Sequence, residues 1–325
     1  MKKILMIFIF FILISFLFCD INEIVLDDSK SVDLISQLNE NEVFFKFING
    51  LDIDENNNIY FLDRHFATIF KINLLNKKLI KTISSKGQGP GELLCPCSMK
   101  IKDNKIYILD MGLGSVKIFG LKGICLKEFK CNFSCTFLYE NSIMDVSNTN
   151  EIYIKNIDKK TKTAISVYDN NGKKIRNIIK LGNKNEKDYK NWFFNTFFSF
   201  KIDRNDNIVL LFLKKGELKK YDKKGNLIWF RNIYDDLKNK EKIENKFKQK
   251  KTKKGFQFKF NLIFLGLFAK DDFILVSHKW GGIIYNKRGK LIKYIRQKSN
   301  KGFGANFIWK SKKLYTYEKI YFMNL

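Results

Sequence analysis

The stretch DIDENNNIYFLD at residues 52–63 joins an Asx-rich turn to an apolar pair, Ile59-Tyr60, that opens a β-rich run. Turns of this composition favour hairpins, because Asn and Asp bond their own backbone and tolerate positive φ. The pair recurs as Ile106-Tyr107, Ile152-Tyr153, Ile208-Val209, Phe273-Ile274 and Leu314-Tyr315, at spacings of 47, 46, 56, 65 and 41 residues. A second anchor follows most of these pairs, an aromatic strand ending in a glycine turn: IFGLKG (118–123), VYDNNG (167–172), KYDKKG (220–225) and IYNKRG (284–289). Each unit therefore reads strand, polar hairpin turn, strand, loop, strand, glycine turn, strand. Four short strands every ~45 residues mark a β-propeller blade. A single twisted sheet cannot bury both of its faces, whereas radial packing of several sheets buries both and leaves only short edges. Six repeats predict an all-β, six-bladed propeller of four-stranded antiparallel blades. The sixth unit offers only three strands, FIWK, KLYTY and KIYFM, so INEIVLD (21–27) is expected to supply the fourth and close the ring.

The composition fits this reading. Of 325 residues, 45% are hydrophobic and 32 are Phe, which is ample for a packed core and excludes a disordered chain. Two prolines and 19 glycines exclude collagen-like or Pro-rich sequence. The net charge of +27 rests on 60 Lys+Arg, of which only six are Arg. Base and phosphate readers favour the bidentate Arg fork, so no nucleic-acid partner is expected. The chain opens with Lys2 and Lys3, then runs apolar from Ile4 to Phe18, too short for a comfortable membrane span and suited to a signal peptide. The run ends at Cys19, which resembles a bacterial lipoprotein signal, although Phe18 stands where that pattern has a small residue. Residues 1–19 are thus expected to direct export and lipidation of Cys19, with plain secretion or an uncleaved anchor as alternatives. Residues 20–325 are expected to form a single, monomeric propeller domain attached to a membrane of the cell envelope. A Lys-rich insertion at 235–254, carrying nine Lys against two Glu and two Asp, is expected as a short helix or loop.

The KGQGPGE loop at 86–92, the DxDxxxxIYFLD stretch and the IYILD run at 106–110 together resemble the bacterial six-bladed β-propeller lipoprotein family, related to NHL-repeat propellers. The resemblance covers about residues 24–125. It implies an exported scaffold that binds a ligand or protein, and it brings no catalytic residues with it.

In a propeller, the loop between a blade's second and third strands shares one face with the loop leading to the next blade. Both histidines fall after a second strand, His65 in YFLDRH and His278 in ILVSHKW. With Arg64, Lys279 and Trp280 beside them, and Lys86, Gln88 and Glu92 from the glycine loop, they form a candidate partner surface. Cations beside an aromatic suit a glycan or an anionic partner. The alternative is loop residues that merely cap backbone groups. The glycine loop lacks the Lys-Ser/Thr of a phosphate-binding loop and reads as a structural turn. Asp52, Asp54, Asn56 and Asn58 alternate like the start of a calcium loop, but Asn57 replaces the required glycine, and a hairpin turn explains them better. Cys95, Cys97, Cys125, Cys131 and Cys135 leave disulfides, free thiols or a thiolate metal site open. With two histidines and no repeated inward acid, no catalytic residue, metal or cofactor is expected. The function read from the sequence is a non-catalytic scaffold recognising a protein or glycan through this top face. A lactonase, lyase or glycan-cleaving propeller is the alternative.

Overall fold

The computed structural model describes residues 23–26, 32–33, 44–133, 143–158, 160–181, 195–237, 248–252, 255–259, 264–270, 273–278, 281–297, 307–310, 313–316 and 319–322. Two short strands, β1 (Glu23–Leu26) and β2 (Val32–Asp33), precede the repeats. The first sheet comprises β3 (Ile48–Ile53), β4 (Asn58–Asp63), β5 (Thr68–Asn73) and β6 (Leu79–Ile83). The second comprises β7 (Pro96–Lys102), β8 (Lys105–Asp110), β9 (Ser115–Gly120) and β10 (Cys125–Lys130). The third comprises β11 (Met144–Val146), β12 (Ile152–Asp158), β13 (Thr163–Tyr168) and β14 (Lys174–Lys180). The fourth comprises β15 (Phe198–Ile202), β16 (Ile208–Phe212), β17 (Glu217–Tyr221) and β18 (Leu227–Asn232). After a 3-10 turn at Ile233–Asp236 comes a separate hairpin of β19 (Lys248–Thr252) and β20 (Gly255–Lys259). The fifth sheet comprises β21 (Phe264–Lys270), β22 (Phe273–His278), β23 (Gly281–Asn286) and β24 (Leu291–Gln297). The last comprises β25 (Phe307–Lys310), β26 (Lys313–Thr316) and β27 (Lys319–Phe322). The first strands touch in sequence, β3–β7–β11–β15–β21–β25, and β25 returns to β3.

The recurring pair is explained by the packing. Tyr60 and Leu62 face the second sheet, in one core with Met99, Ile106, Ile108 and Phe119. Ile59 and Phe61 point the other way. Tyr107 and Leu109 likewise join Ile152 and Ile154 in the next interface, and Val209 and Leu211 join Ile274 and Val276 in a later one. Successive strand residues alternate sides, so each pair contributes one residue to each neighbouring interface. This is why second strands such as β4 and β16 are buried at every position, while the outer β10 alternates half-buried and exposed. In the fifth unit the pair is Ile274-Leu275, one residue later than expected, because Ile274 faces the preceding sheet as Ile106 and Ile152 do.

The glycine turns serve the same packing. Gly123, Gly172, Gly225 and Gly289 all adopt φ between 78° and 92°. Each lies against the outer strand of the preceding sheet, and a Cβ on Gly172 would sit 2.3 Å from Phe129 Cγ. A side chain there meets both a backbone and a steric penalty.

Three expectations are corrected. Five sheets have four strands rather than six, because β1 adds to the fifth sheet in parallel beside β24 and makes it five-stranded. The fourth strand of the last sheet is therefore not residues 21–27 but β2, with Val32 opposite Ile320 and Asp33 opposite Lys319. The Lys-rich insertion opens in the 3-10 turn, at Asp235 and Asp236, but its described latter part is strand where a helix or loop was expected. Its latter part is β19, paired antiparallel with β20 and with no blade.

Candidate functional site

The inner strands of the first five sheets each place one residue at the same register. Asp52 lies opposite Tyr60, Lys100 opposite Tyr107, Asp145 opposite Tyr153, Lys201 opposite Val209 and Phe268 opposite Leu275. These positions make a run of alternating charge that ends at an aromatic. Asp52 reaches across to the second sheet and accepts the Ile101 amide at 2.7 Å. Asp145 does the same for the fourth, accepting the Ile202 amide at 2.9 Å. Lys100 sits between them, 3.5 Å from Asp52 and 3.9 Å from Asp145. Burial alone would depress its ammonium, but the two carboxylates outweigh that and raise it. Lys201 has no carboxylate within 4 Å among the described residues, and burial lowers its pKa.

These strands end in a cavity of about 400 Å³, rimmed by the first hairpin turns, with Asp103, Asn104, Asn148 and Arg204 on its lip. Asp54 and Asp203 shape those turns. Asp54 takes the Asn58 amide at 2.9 Å, the Asn58 side chain at 2.8 Å and the Tyr60 hydroxyl at 2.9 Å. Burial would raise its carboxyl, yet these bonds and Lys71 hold it below the usual range. Asp203 takes the amides of Asn205 and Asn207 at 2.8 and 2.9 Å. The DENNN and DRNDN runs are thus self-bonded hairpin turns, as the alternation with Asn57 at φ 60° implies.

The sequence-derived partner residues lie at the opposite end of the strands and are only partly assembled. His65 is exposed, with Lys46 Nζ 3.1 Å from its Nε2. Arg64 donates to Cys95 Sγ at 3.2 Å. Lys86 and Gln88 are exposed. Glu92 folds back into its own loop and accepts the Gly89 amide at 2.7 Å. The fully buried Lys117 clamps that loop, donating to the Gly89 and Glu92 carbonyls at 3.0 and 2.6 Å and pairing with Glu128 at 3.3 Å. His278 is no loop residue. It ends β22 with 7% of its surface exposed, opposite Phe264, in the register that Asp63 and Asp110 hold in the first two sheets. It therefore does not stand level with His65, and burial pushes its pKa down to about 4. Lys279, Trp280, Cys19 and Cys135 lie outside the described residues.

The aspartates at that register are devoted to backbone. Asp63 accepts the amides of Lys46, Phe47, His65 and Phe66, between 2.6 and 3.1 Å. Asp110 accepts those of Leu94, Cys95, Gly112 and Leu113, between 2.7 and 3.1 Å. Cys95, Cys97, Cys125 and Cys131 are free thiols. Cys97 donates to the Leu109 carbonyl, and burial pushes Cys131 up to about 12.

No protein-family description matches the chain, and no curated protein is similar to it in sequence. Solved structures are similar in shape. Virginiamycin B lyase from Staphylococcus aureus with quinupristin is 11% identical at a TM-score of 0.52, over 90% of this chain and 97% of that one. The calcium-binding protein regucalcin from Agrobacterium tumefaciens is 11% identical at 0.50, over 90% and 86%. The WD40 repeats of RRP9 are 9% identical at 0.52, over 89% and 90%. The chain is a β-propeller. At such low identity the likeness extends to the fold alone, and these neighbours include both an enzyme and a WD40 repeat protein.

The propeller's inner run of charge was missed by sequence reading. Asp52 was absorbed into a turn motif, and Lys100 and Lys201 looked like two of many lysines. The signal that could have found them is their fixed offset before the recurring pair, visible only once the hairpin register is known.

Proposed function

We propose that this propeller is an exported binding scaffold, tethered to a membrane through a lipidated Cys19, that receives a protein or glycan partner at a mouth of its channel. Counting the five-stranded sheet as a blade, the ring has six, a reading supported by the circuit of first strands that returns from β25 to β3. The observation that carries the binding reading is the engagement of the channel carboxylates. Asp52 and Asp145 latch neighbouring sheets through Ile101 and Ile202, and Asp54 and Asp203 hold their own turns. General acid–base chemistry needs a carboxylate or imidazole facing substrate. Here the deep acids are occupied and His278 is buried. The polar lip of the cavity, with Asn104, Asn148 and Arg204, offers the mixed donors and acceptors that a glycan's hydroxyls need.

The opposite face is a second candidate surface, favoured for an anionic partner by exposed His65, Lys86 and Gln88 with Lys46 beside them. Lys279 and Trp280 belong to it by sequence. The test is a glycan and acidic-protein binding screen with the mature chain at low and moderate salt, comparing Asn104→Ala/Arg204→Ala with Lys279→Ala/Trp280→Ala. Loss in the first variant supports the cavity. Salt-sensitive loss in the second places the partner on the opposite face. Binding that ignores both variants overturns the channel-mouth reading. Tethering is tested separately by fatty-acid labelling, which Cys19→Ser should abolish.

A further inference from the structure

An outermost strand leaves one edge of its backbone without a ladder, and natural sheets blunt such edges with charged side chains or cover them. Three outer strands carry the charges. β6 (LIKTI) has Lys81, β10 (CLKEFK) has Lys127, Glu128 and Lys130, and β14 (KIRNIIK) has Lys174 and Arg176. β24 is covered instead, because β1 lies along it in parallel. β18 (LIWFRN) has neither protection. It ends its sheet and pairs only with β17 among the described residues. Leu227, Ile228 and Phe230 each expose more than half of their surface. The charge in this strand, Arg231, is turned onto Asp236 through bonds of 2.9 and 2.6 Å. Beside Phe230 an open cavity of about 630 Å³ lies between the fourth and fifth sheets, bounded also by Arg288, Lys290, Leu291 and Tyr294.

We propose that the β18 edge is a docking site for an extended acidic segment of a partner protein, which adds to the fourth blade as a fifth strand. The adjoining blade shows the arrangement within this chain. There β1 makes the sheet five-stranded by lying along β24, with Glu23 opposite Tyr294 and Val25 opposite Arg296. In such an addition the backbone bonds supply affinity and alternate side chains supply selectivity. On β18, Ile228 and Phe230 are two residues apart, so they share a face and call for apolar partners there. The charge around the edge is mostly basic. Lys223 and Lys224 are exposed in the turn that enters β18, and Arg288 and Lys290 are exposed beside the cavity, against the exposed Asp235. Large apolar residues flanked by Asp or Glu answer both demands, and the chain's own DINEIVLDD (20–28) has that composition. A second copy of this chain would bring a net charge of +27 to a basic edge, which disfavours it as the occupant. The surface belongs to the rim of the propeller and is independent of either channel mouth.

The test uses the mature chain and, as the probe, a fluorescein-labelled synthetic peptide of sequence DINEIVLDD. Fluorescence polarisation should show saturable binding that weakens as salt rises. Hydrogen exchange with the wild-type protein should show new protection in β18 when the peptide is added. Ile228→Glu removes an apolar cross-strand contact and sets a like charge against the peptide, and should weaken binding about tenfold. Ile80→Glu, at an exposed position of β6, should leave binding unchanged. Absence of saturable binding, binding indifferent to Ile228→Glu, or protection that falls on another strand edge overturns the proposal. So does a dimer in light scattering that Ile228→Glu dissociates, since a second copy would then hold the edge. The exchange measurement is made on the wild-type protein and needs no variant to fold.

Discussion

Replacing Asp110 by Ala should uncouple the second blade from the loop that feeds it. Asp110 is fully buried and accepts four amides: Leu94 and Cys95 before β7, Gly112 and Leu113 after β8. Alanine leaves all four donors without their acceptor. A hydrogen bond to a charged group contributes about 1.5–3 kcal/mol, and an orphaned buried donor costs about 1–3 kcal/mol. The amides sit in half-buried loops, so water can reach some of them. Allowing for that relief, the expected loss is about 3–4 kcal/mol, at the severe end for a point substitution. Asp110→Asn keeps one oxygen but turns an NH₂ toward amide donors, and should lose about 2 kcal/mol. Urea denaturation followed by Trp fluorescence measures both. Hydrogen exchange at Leu94, Cys95, Gly112 and Leu113 should quicken well before exchange in β8. If Asp110→Ala stays within 1 kcal/mol of wild type and these amides stay protected, the carboxylate is not what holds the loop, and the reasoning fails.

Other consequences are equally direct. Gly172→Ala places a methyl 2.3 Å from Phe129 Cγ at a φ of +84° and should cost about 2–3 kcal/mol, with Phe129→Leu in the same chain recovering part of it in thermal melts. His278 has a folded pKa of about 4 against 6.5 when unfolded, so below pH 6.5 the unfolded chain takes up a proton that the folded chain refuses. Stability should therefore fall as pH drops from 6.5 to 4, by at most about 3 kcal/mol from this group, and His278→Gln should flatten that part of the profile. Deleting residues 20–28 removes β1 from a sheet edge, whereas deleting 20–34 also removes β2 from the last sheet. The longer deletion should melt markedly lower than the shorter, and equal melting would show that β2 closes nothing.

The blade period was legible because burial dictates it. A second strand sandwiched between two sheets must be apolar on both sides, which produces a continuous run such as IYFLD, and a positive-φ turn demands glycine at one offset. Both signals are local. The misplaced strand was not. INEIVLD is the better strand by composition, yet β1 joins an edge in parallel, while the two-residue β2, hidden in SVDLISQL, takes the closing place. Two residues carry too little β-propensity to outrank four, and their choice depends on how far the chain must travel to reach β3. The pair in the fifth unit slipped by one for a similar reason: Phe273, Ile274 and Leu275 are all apolar, and only the facing sheets decide which looks inward.

That slip concealed more than a register. Reading Phe273 as the first of the pair sets His278 beside Arg64 and suggests two histidines converging on one surface. The observed register sets His278 in the slot of Asp63 and Asp110, where the first two blades tie down their loops with a carboxylate. The same slip hides Phe268 behind Ala269 and with it the end of the charged run at the channel. A repeat fold asks the same geometric question at every blade, and the blades answer it with different chemistry. At the inner register the answers are Asp52, Lys100, Asp145, Lys201 and Phe268. Three of the charges hold one another, as the distances of 3.5 and 3.9 Å show. The fourth meets an aromatic where alternation would put an acid. A break in an otherwise periodic pattern of pairing arises where the facing sheet changes, and the sequence of one blade read by itself carries no sign of what its neighbour will present.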